Sequence, residues 1–108
     1  MRVMCGRNIA LGPGKADLLQ FVRETGSLRE AAAKLGMSYM RAWKLVQTMN
    51  GCFREPVVAP VRGGATGGGT QLTPTGEKAL ELYRELESTS LIATQRAWTQ
   101  LEKLLAGS

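Results

Sequence analysis

The chain has 108 residues, enough for one domain with its own hydrophobic core, and 44% of them are apolar. It has no histidine and only two cysteines, which excludes histidine-dependent catalysis and zinc sites built from histidine or from four cysteines. Lys and Arg outnumber Asp and Glu by 14 to 9, and the net charge of +5 is compatible either with a polyanionic partner or with a solvated basic surface.

The distribution of apolar residues and cysteines predicts the compartment. No apolar run is long enough for a membrane span or a signal peptide, so we expect a cytoplasmic protein that does not bind membranes. Cys5 and Cys52 stand far apart in the sequence. We expect both thiols to be reduced, and to serve as packing residues rather than as redox sensors.

The first 26 residues predict a strand followed by a helix. Alternate positions of residues 2–11 are apolar with the exception of Arg7, namely Val3, Cys5, Ile9 and Leu11. This alternation is typical of a strand with one buried face. The glycines and proline of residues 12–14 should break the chain, and from Lys15 the apolar residues recur at helical spacing until Gly26, a natural C-terminal stop.

Two more helices are predicted immediately afterwards. The S-x-x-E pattern that starts at Ser27 is typical of a capping box, and Gly36 should end the helix that follows it. Ser38 can cap a third helix, which we expect to run to about Asn50. Because so short a turn joins the second and third helices, they must cross steeply, and the small side chain of Ala32 permits a close approach. This is the geometry of a helix-turn-helix.

The third predicted helix has two contrasting faces. The apolar face comprises Tyr39, Ala42, Trp43, Val46 and Met49. We expect Trp43 to lie in the core, because the opposite face is the polar one. That opposite face has no acidic residue and comprises Met40, Arg41, Lys44, Gln47 and Thr48. Arg41 and Lys44 can bond to base edges or phosphates, although a solvated helix face would have the same composition.

A glycine-rich hairpin is predicted next. Residues 57–62 read as an edge strand, because Pro60 has no N–H to donate to a ladder, and residues 70–73 read as its return strand. The glycines between them match neither a Walker loop, which needs a lysine before the Ser or Thr, nor a dinucleotide fingerprint, which needs a βαβ unit. Two alternatives are a hairpin tip without a partner and a wing whose backbone approaches DNA phosphates. In the second case further contacts would come from Arg62, Thr66 and Thr70.

The last segment predicts one long helix. Thr73 and Pro74 suit its N-cap and first position, and neither glycine nor proline occurs between Glu77 and Ala106. We expect a helix over residues 73–106, and the part from Glu77 to Ala106 alone would reach roughly 45 Å. So small a domain cannot bury an apolar stripe of that length. We therefore expect the distal part to pack on a second copy of the chain, through Leu91, Trp98, Leu101 and Leu105.

The order of strand, helix, helix, helix, hairpin and helix is that of a winged helix, and particular motifs narrow the family. The segment GMSY-x-x-AW, from Gly36 to Trp43, is followed by the glycine-rich run and by LTPTG. Together they resemble the N-terminal DNA-binding domain of the ModE family of molybdate-responsive, LysR-related transcriptional regulators. The similarity spans roughly Ala10 to Glu87.

The resemblance implies a mainly α winged helix-turn-helix domain over residues 1–108, with a small β-hairpin and a long C-terminal dimerisation helix. The first helix would also help to join the subunits. The resemblance further implies a homodimer that binds double-stranded DNA at an inverted repeat. The recognition helix would present Ser38, Tyr39, Met40, Arg41 and Lys44 to the major groove. We expect Arg29, Gln47, Thr48 and the wing residues to contact the DNA backbone. The alternative is that they are plain surface groups without a partner.

The chain departs from the family pattern in three respects. Met40 stands where many relatives have a basic or polar residue, and Ala65 stands where the wing often carries Lys or Arg. The DNA preference of the family is therefore not carried over. The sequence ends at Ser108 without the β-barrel domains that sense molybdate in this family. We expect no molybdate, metal or other cofactor on this chain.

An enzyme is not expected, because the sequence offers no nucleophile paired with a base, no metal cluster and no cofactor fingerprint. The alternative function belongs to another class. The chain would then be a winged-helix module that binds a separate ligand-sensing or regulator subunit through the last helix.

Overall fold

The computed structural model describes residues 2–6, 8–61 and 69–105. Its elements in chain order are β1 (Val3–Cys5), β2 (Asn8–Leu11), α1 (Pro13–Thr25), α2 (Leu28–Lys34), α3 (Tyr39–Cys52), β3 (Val58–Pro60), β4 (Thr70–Leu72) and α4 (Pro74–Glu102). Strands β1 and β2 form one antiparallel pair, and β3 and β4 form another. This arrangement confirms the predicted mainly α winged helix-turn-helix. No helix in the described ranges is long and apolar enough to cross a membrane.

The prediction of a single N-terminal strand is wrong, because the chain reverses within it. Strand β1 pairs with β2, with Val3 opposite Leu11. Gly6 has φ +59 between the two strands, a left-handed conformation that glycine adopts without a steric penalty. Alternating apolar residues are equally compatible with one long strand and with two short paired strands. The sequence pattern could therefore not reveal the reversal.

Helix α1 begins two residues earlier than predicted. Gly12 is its extended N-cap, and Pro13 occupies the first helical turn, where the missing N–H costs nothing. The helix ends as predicted at Gly26, whose φ of 68 allows its N–H to bond to the Val22 carbonyl. The proline that was expected to interrupt the chain thus starts a helix.

Helix α2 is bounded by the predicted cap at Ser27 and by Gly36. The Ser27 hydroxyl accepts a hydrogen bond from the Glu30 N–H at 3.1 Å, which is one half of the capping box. The Ser27 N–H donates to the Thr25 hydroxyl at 3.2 Å, so Thr25 takes the role expected of the Glu30 side chain. Gly36 adopts φ 68 after the end of α2, and Ala32 is buried where α2 and α3 meet.

Helix α4 starts in close contact with the strand that precedes the wing. The Thr73 hydroxyl caps the helix by accepting from the Gly76 N–H at 3.0 Å, and the Thr73 N–H donates to the Val57 carbonyl at 3.0 Å. A Cβ on Gly76 would lie 2.0 Å from that same carbonyl oxygen. The LTPTG motif therefore combines a cap with the one residue type that permits this contact.

The hydrophobic core draws on every helix. Its largest fully buried side chains are Leu18, Leu19, Val22, Met49, Val57, Leu80 and Tyr83. Helix α1 also joins α4 through polar contacts of Arg84. The Arg84 guanidinium donates to Asp17, to Gln20 and to Glu87, each at 2.9 Å. The bonds to Asp17 and Glu87 raise the pKa of Arg84.

The distal part of α4 leaves the domain. The helix ends at Glu102, four residues before the predicted end, and its buried residues are Gly76, Leu80 and Tyr83, all in its first three turns. Every residue from Leu91 to Leu105 is exposed. With this projecting helix the molecule measures 57 × 30 × 24 Å.

The two cysteines, distant in sequence, are neighbours in the fold. The Cys5 sulfur lies 3.9 Å from the Cys52 carbonyl oxygen, and both residues are half-buried. A hydrogen bond with Cys5, together with burial, raises the pKa of the Cys52 thiol. A higher pKa leaves less thiolate at neutral pH, which agrees with a packing role for Cys52.

The contact between Gly76 and Val57 predicts that Gly76→Ala destabilises the domain strongly. The added Cβ would overlap the Val57 carbonyl, so α4 must move away from the core, at a cost of about 3 kcal/mol or more. Urea unfolding measures this cost. The matched control is Gly51→Ala in α3, where a Cβ meets nothing within 4 Å, and it should be neutral or stabilising by about 0.5–1 kcal/mol. Equal stability of the two variants would contradict the packing seen here.

Candidate nucleic-acid interface

Helix α3 buries a narrower stripe than the sequence predicted. Ala42, Val46 and Met49 are buried, and Leu45, which was not predicted, packs against the core while half-buried. Successive residues of an α-helix are about 100° apart, so Met40 and Lys44 each lie about 160° from Ala42 around the axis. These two residues therefore mark the centre of the face that points away from the core.

The prediction that Trp43 is a core residue is wrong. Its side chain is 43% exposed. Trp43 lies about 100° from Ala42 around the helix, at the edge of the buried stripe. At that edge the indole faces β3 and β4, and it lines a cavity between them and α3 instead of packing into the core. Tyr39, also predicted on the apolar face, is 40% exposed.

The start of α3 is held by a cap and a cation–π contact. The Ser38 hydroxyl accepts from the Arg41 N–H at 3.1 Å, which confirms Ser38 as the N-cap. The Arg29 guanidinium from α2 lies 4.9 Å from the centre of the Tyr39 ring. This stacking places a positive charge beside the N-terminus of α3, where backbone N–H groups also favour anions.

The basic residues of the outer face are available to a ligand. Arg41, Lys44 and Gln47 are exposed, and Thr48 is half-buried. Across the described part of the chain, no ion pair engages Arg41 or Lys44. Exposed cations without a carboxylate partner can contact phosphates or base edges without first breaking an internal salt bridge.

Asn50 clamps the wing strand to α3, a role that the sequence did not reveal. Its side-chain oxygen accepts from the Val57 N–H at 2.8 Å and the Val58 N–H at 3.2 Å. Its side-chain N–H donates to the Val58 carbonyl at 3.1 Å. Asn50 thereby replaces a partner strand at this edge of β3. Its only sequence signal was an amide side chain near the end of the predicted helix.

The base of the wing is attached to α1 as well. The Thr70 N–H donates to the Gly26 carbonyl at 2.9 Å, and a Cβ on Gly69 would lie 2.7 Å from that oxygen. Thr70 is half-buried and, with Trp43, lines a cavity of about 250 Å³ between α3 and the β3–β4 hairpin. Arg62 and Thr66, the other predicted wing contacts, lie outside the described residues, so their contacts stay predictions.

Three of the four residues predicted to form the dimer interface lie together on the projecting part of α4. Leu91, Trp98 and Leu101 line one shallow, open apolar groove on the surface of this single helix. The exposed fractions are 75% for Leu91, 55% for Trp98 and 49% for Leu101. Leu105, 50% exposed, lies beyond the end of the helix and does not line this groove.

The fold and this basic helix face define a winged helix-turn-helix protein. Comparison of the sequence with known proteins gives a narrower family. The molybdenum transport protein ModE of Azotobacter vinelandii is 38% identical over 98 residues, which cover 91% of this chain and 36% of ModE. The molybdenum-pterin-binding protein MopB of Rhodobacter capsulatus is 40% identical over 91 residues, which cover 78% of this chain and 34% of MopB.

A third relative is named for DNA binding. The DNA-binding transcriptional dual regulator ModE of Escherichia coli K12 is 34% identical over 71 residues, 66% of this chain and 27% of that regulator. No protein-family profile matches the sequence. The chain spans about a third of the length of the curated relatives it matches, and it corresponds to their N-terminal region. It belongs to the ModE family, as the sequence motifs indicated.

The Asn50 clamp predicts that Asn50→Ala lowers the free energy of unfolding by about 1–3 kcal/mol. The substitution leaves the buried Val57 N–H without its acceptor, and an unsatisfied buried donor has a cost of this size. Chemical denaturation measures the loss. The control is Gln47→Ala, one turn earlier on the exposed face, which should stay within about 0.5 kcal/mol of the parent chain. If the Asn50 hydrogen bonds did not stabilise the fold, Asn50→Ala and Gln47→Ala would be equally stable.

Proposed function

We propose that the chain is the DNA-binding part of a sequence-specific transcriptional regulator, and that it binds an inverted repeat as a homodimer. The acid-free outer face of α3 carries this proposal, since Arg41 and Lys44 are exposed there and form no ion pair with any other described residue. The name of the Escherichia coli relative as a DNA-binding regulator supports it. The names of the relatives describe regulators, transport proteins and molybdenum-pterin-binding proteins, which fits a chain that is not an enzyme.

In the proposed complex, α3 enters the major groove with its N-terminal end foremost. Met40 and Lys44 then point into the groove, because they lie opposite the buried stripe. Arg41 lies at one edge of this face, where its guanidinium can reach a guanine edge or a phosphate. Gln47 and Thr48 are one turn further along and serve as contacts to the DNA backbone.

Phosphate contacts come from the two ends of this surface. Ser38, Tyr39 and Arg29 lie at the N-terminal end of α3, where helix dipole and guanidinium charge both attract a phosphate. The base of the hairpin lies beside the same surface, because Asn50 bonds to β3 and the Gly26 carbonyl bonds to Thr70 of β4. Thr70 and the predicted contacts Arg62 and Thr66 would extend the interface along the flanking backbone.

The proposed dimer forms through the distal half of α4. Exposure of an apolar groove to water is unfavourable. In a twofold dimer, the groove of each copy packs against the same groove of the other, so that both apolar surfaces are buried. A twofold protein places its recognition helices on half-sites related by the same symmetry. The DNA site should therefore be an inverted repeat with half-sites separated by whole helical turns.

The same groove supports one alternative function. A different protein, such as a ligand-sensing or regulator subunit, could cover Leu91, Trp98 and Leu101, and the chain would then act as an interaction module. Molybdate binding is not assigned to these residues in either case, although two relatives are named for molybdenum-pterin binding.

The α3 surface predicts that Arg41→Ala weakens binding to the preferred duplex by about 1–3 kcal/mol and relaxes base preference at one position. Fluorescence anisotropy on a duplex selected from random DNA, repeated over a salt series, measures both effects. Lys78→Ala also removes one exposed positive charge, but from α4, and it should change binding little. Equal losses of affinity on selected and random duplexes would assign Arg41 to a phosphate and defeat the base contact.

The α4 groove predicts that Leu101→Asp converts a homodimer into a monomer, because the new carboxylate would be buried without a partner. Sedimentation velocity measures the change. The matched control is Gln100→Asp, which adds the same charge at an exposed neighbour that does not line the groove, and it should leave the dimer intact. A parent chain that sediments as a monomer at all accessible concentrations would instead favour the interaction module.

A further inference from the structure

The beginning of α3 exposes three large apolar side chains next to one another. The exposed fractions are 40% for Tyr39, 57% for Met40 and 43% for Trp43. Trp43 follows Tyr39 by four residues and Met40 by three, so all three side chains are neighbours on the helix surface. An exposed apolar patch within a basic surface indicates a site where a binding partner makes contact.

Of the three side chains, Met40 points most directly away from the hydrophobic core. It lies about 160° from the buried Ala42 around the helix axis, whereas Trp43 lies about 100° away, at the edge that faces the wing. The N-terminal residues of a recognition helix are those that meet base edges. In the proposed complex, the Met40 thioether therefore lies within the major groove, while Trp43 forms a wall at its side.

The chemistry of the patch selects the group that it can recognise. Base edges in the major groove present hydrogen-bond donors and acceptors, and one apolar group, the 5-methyl of thymine. A thioether donates no hydrogen bond and accepts only weakly, so Met40 cannot read the polar groups. The cations around the patch, Arg29, Arg41 and Lys44, match a polyanion rather than an apolar protein surface.

We propose that Met40, with Trp43 beside it, recognises thymine by packing against its 5-methyl group in the major groove. The inference rests on the proposed DNA binding and adds a base preference to it. Each half-site should contain one thymine whose methyl group contributes to affinity.

Replacement of thymine by deoxyuridine, which lacks only that methyl group, tests the contact. The preferred duplex is first selected from random DNA with the full chain, and its thymines are then replaced one at a time. At one thymine of each half-site we expect about fourfold weaker binding, the factor that corresponds to about 0.8 kcal/mol for one buried methylene-sized group.

Variants of Met40 assign the effect to this side chain. Met40→Ala should bind the thymine and deoxyuridine duplexes equally, and Met40→Leu, which keeps an apolar side chain, should retain the preference for thymine. Gln47→Ala is the control on the same face and should also retain it. Because Met40 is 57% exposed, its replacement leaves the core intact, and thermal melting curves should match that of the parent chain.

The possible outcomes distinguish a failure of the thymine contact from a failure of the proposed DNA binding. Failure to select any duplex would overturn the proposed DNA binding, and the thymine contact with it. A duplex that binds tightly but tolerates deoxyuridine at every position would overturn the thymine contact alone. Deoxyuridine sensitivity that persists in Met40→Ala would overturn the role of Met40 and assign the methyl contact to another residue.

Discussion

Three elements of the fold meet at the backbone of Val57, and the geometry of the proposed interface depends on that meeting. The Val57 N–H donates to Asn50 of α3, and its carbonyl accepts from Thr73, the N-cap of α4. Gly76 packs against the same carbonyl because it has no Cβ. Val57 is fully buried, so these polar groups would be costly to leave unpaired. One peptide segment thus joins α3, β3 and α4.

This junction connects local packing with function. Since α3 and β3 are held together by side-chain bonds of Asn50, the outer face of α3 and the base of the wing keep one orientation toward a ligand. Since α4 starts from the same point and is braced by Arg84 against α1, its distal groove projects in a defined direction. A dimer formed through that groove would therefore set the distance between two recognition helices, and with it the spacing of the DNA half-sites.

Local sequence signals predicted most of the fold, because they act through neighbouring backbone groups. The caps at Ser27, Ser38 and Thr73 are where the sequence placed them, and Gly26 ends α1 as expected. The N-terminal hairpin was missed, since strand periodicity does not report chain reversal. The candidate site was predicted less completely, because exposure depends on neighbours that are distant in sequence.

The sequence by itself determined the class of fold, the family and the basic, acid-free face of α3, because periodicity, caps and charge are properties of short segments. Only the tertiary structure decided which residues at the edge of each face are exposed. Trp43 is exposed beside β3 and β4, and Leu45 packs against the core, because the packing of α2 and β2 against α3 sets the width of the buried stripe. The clamp of Asn50 and the contact of Gly76 with Val57 likewise exist only because the folded chain brings α3, β3 and α4 together at one peptide.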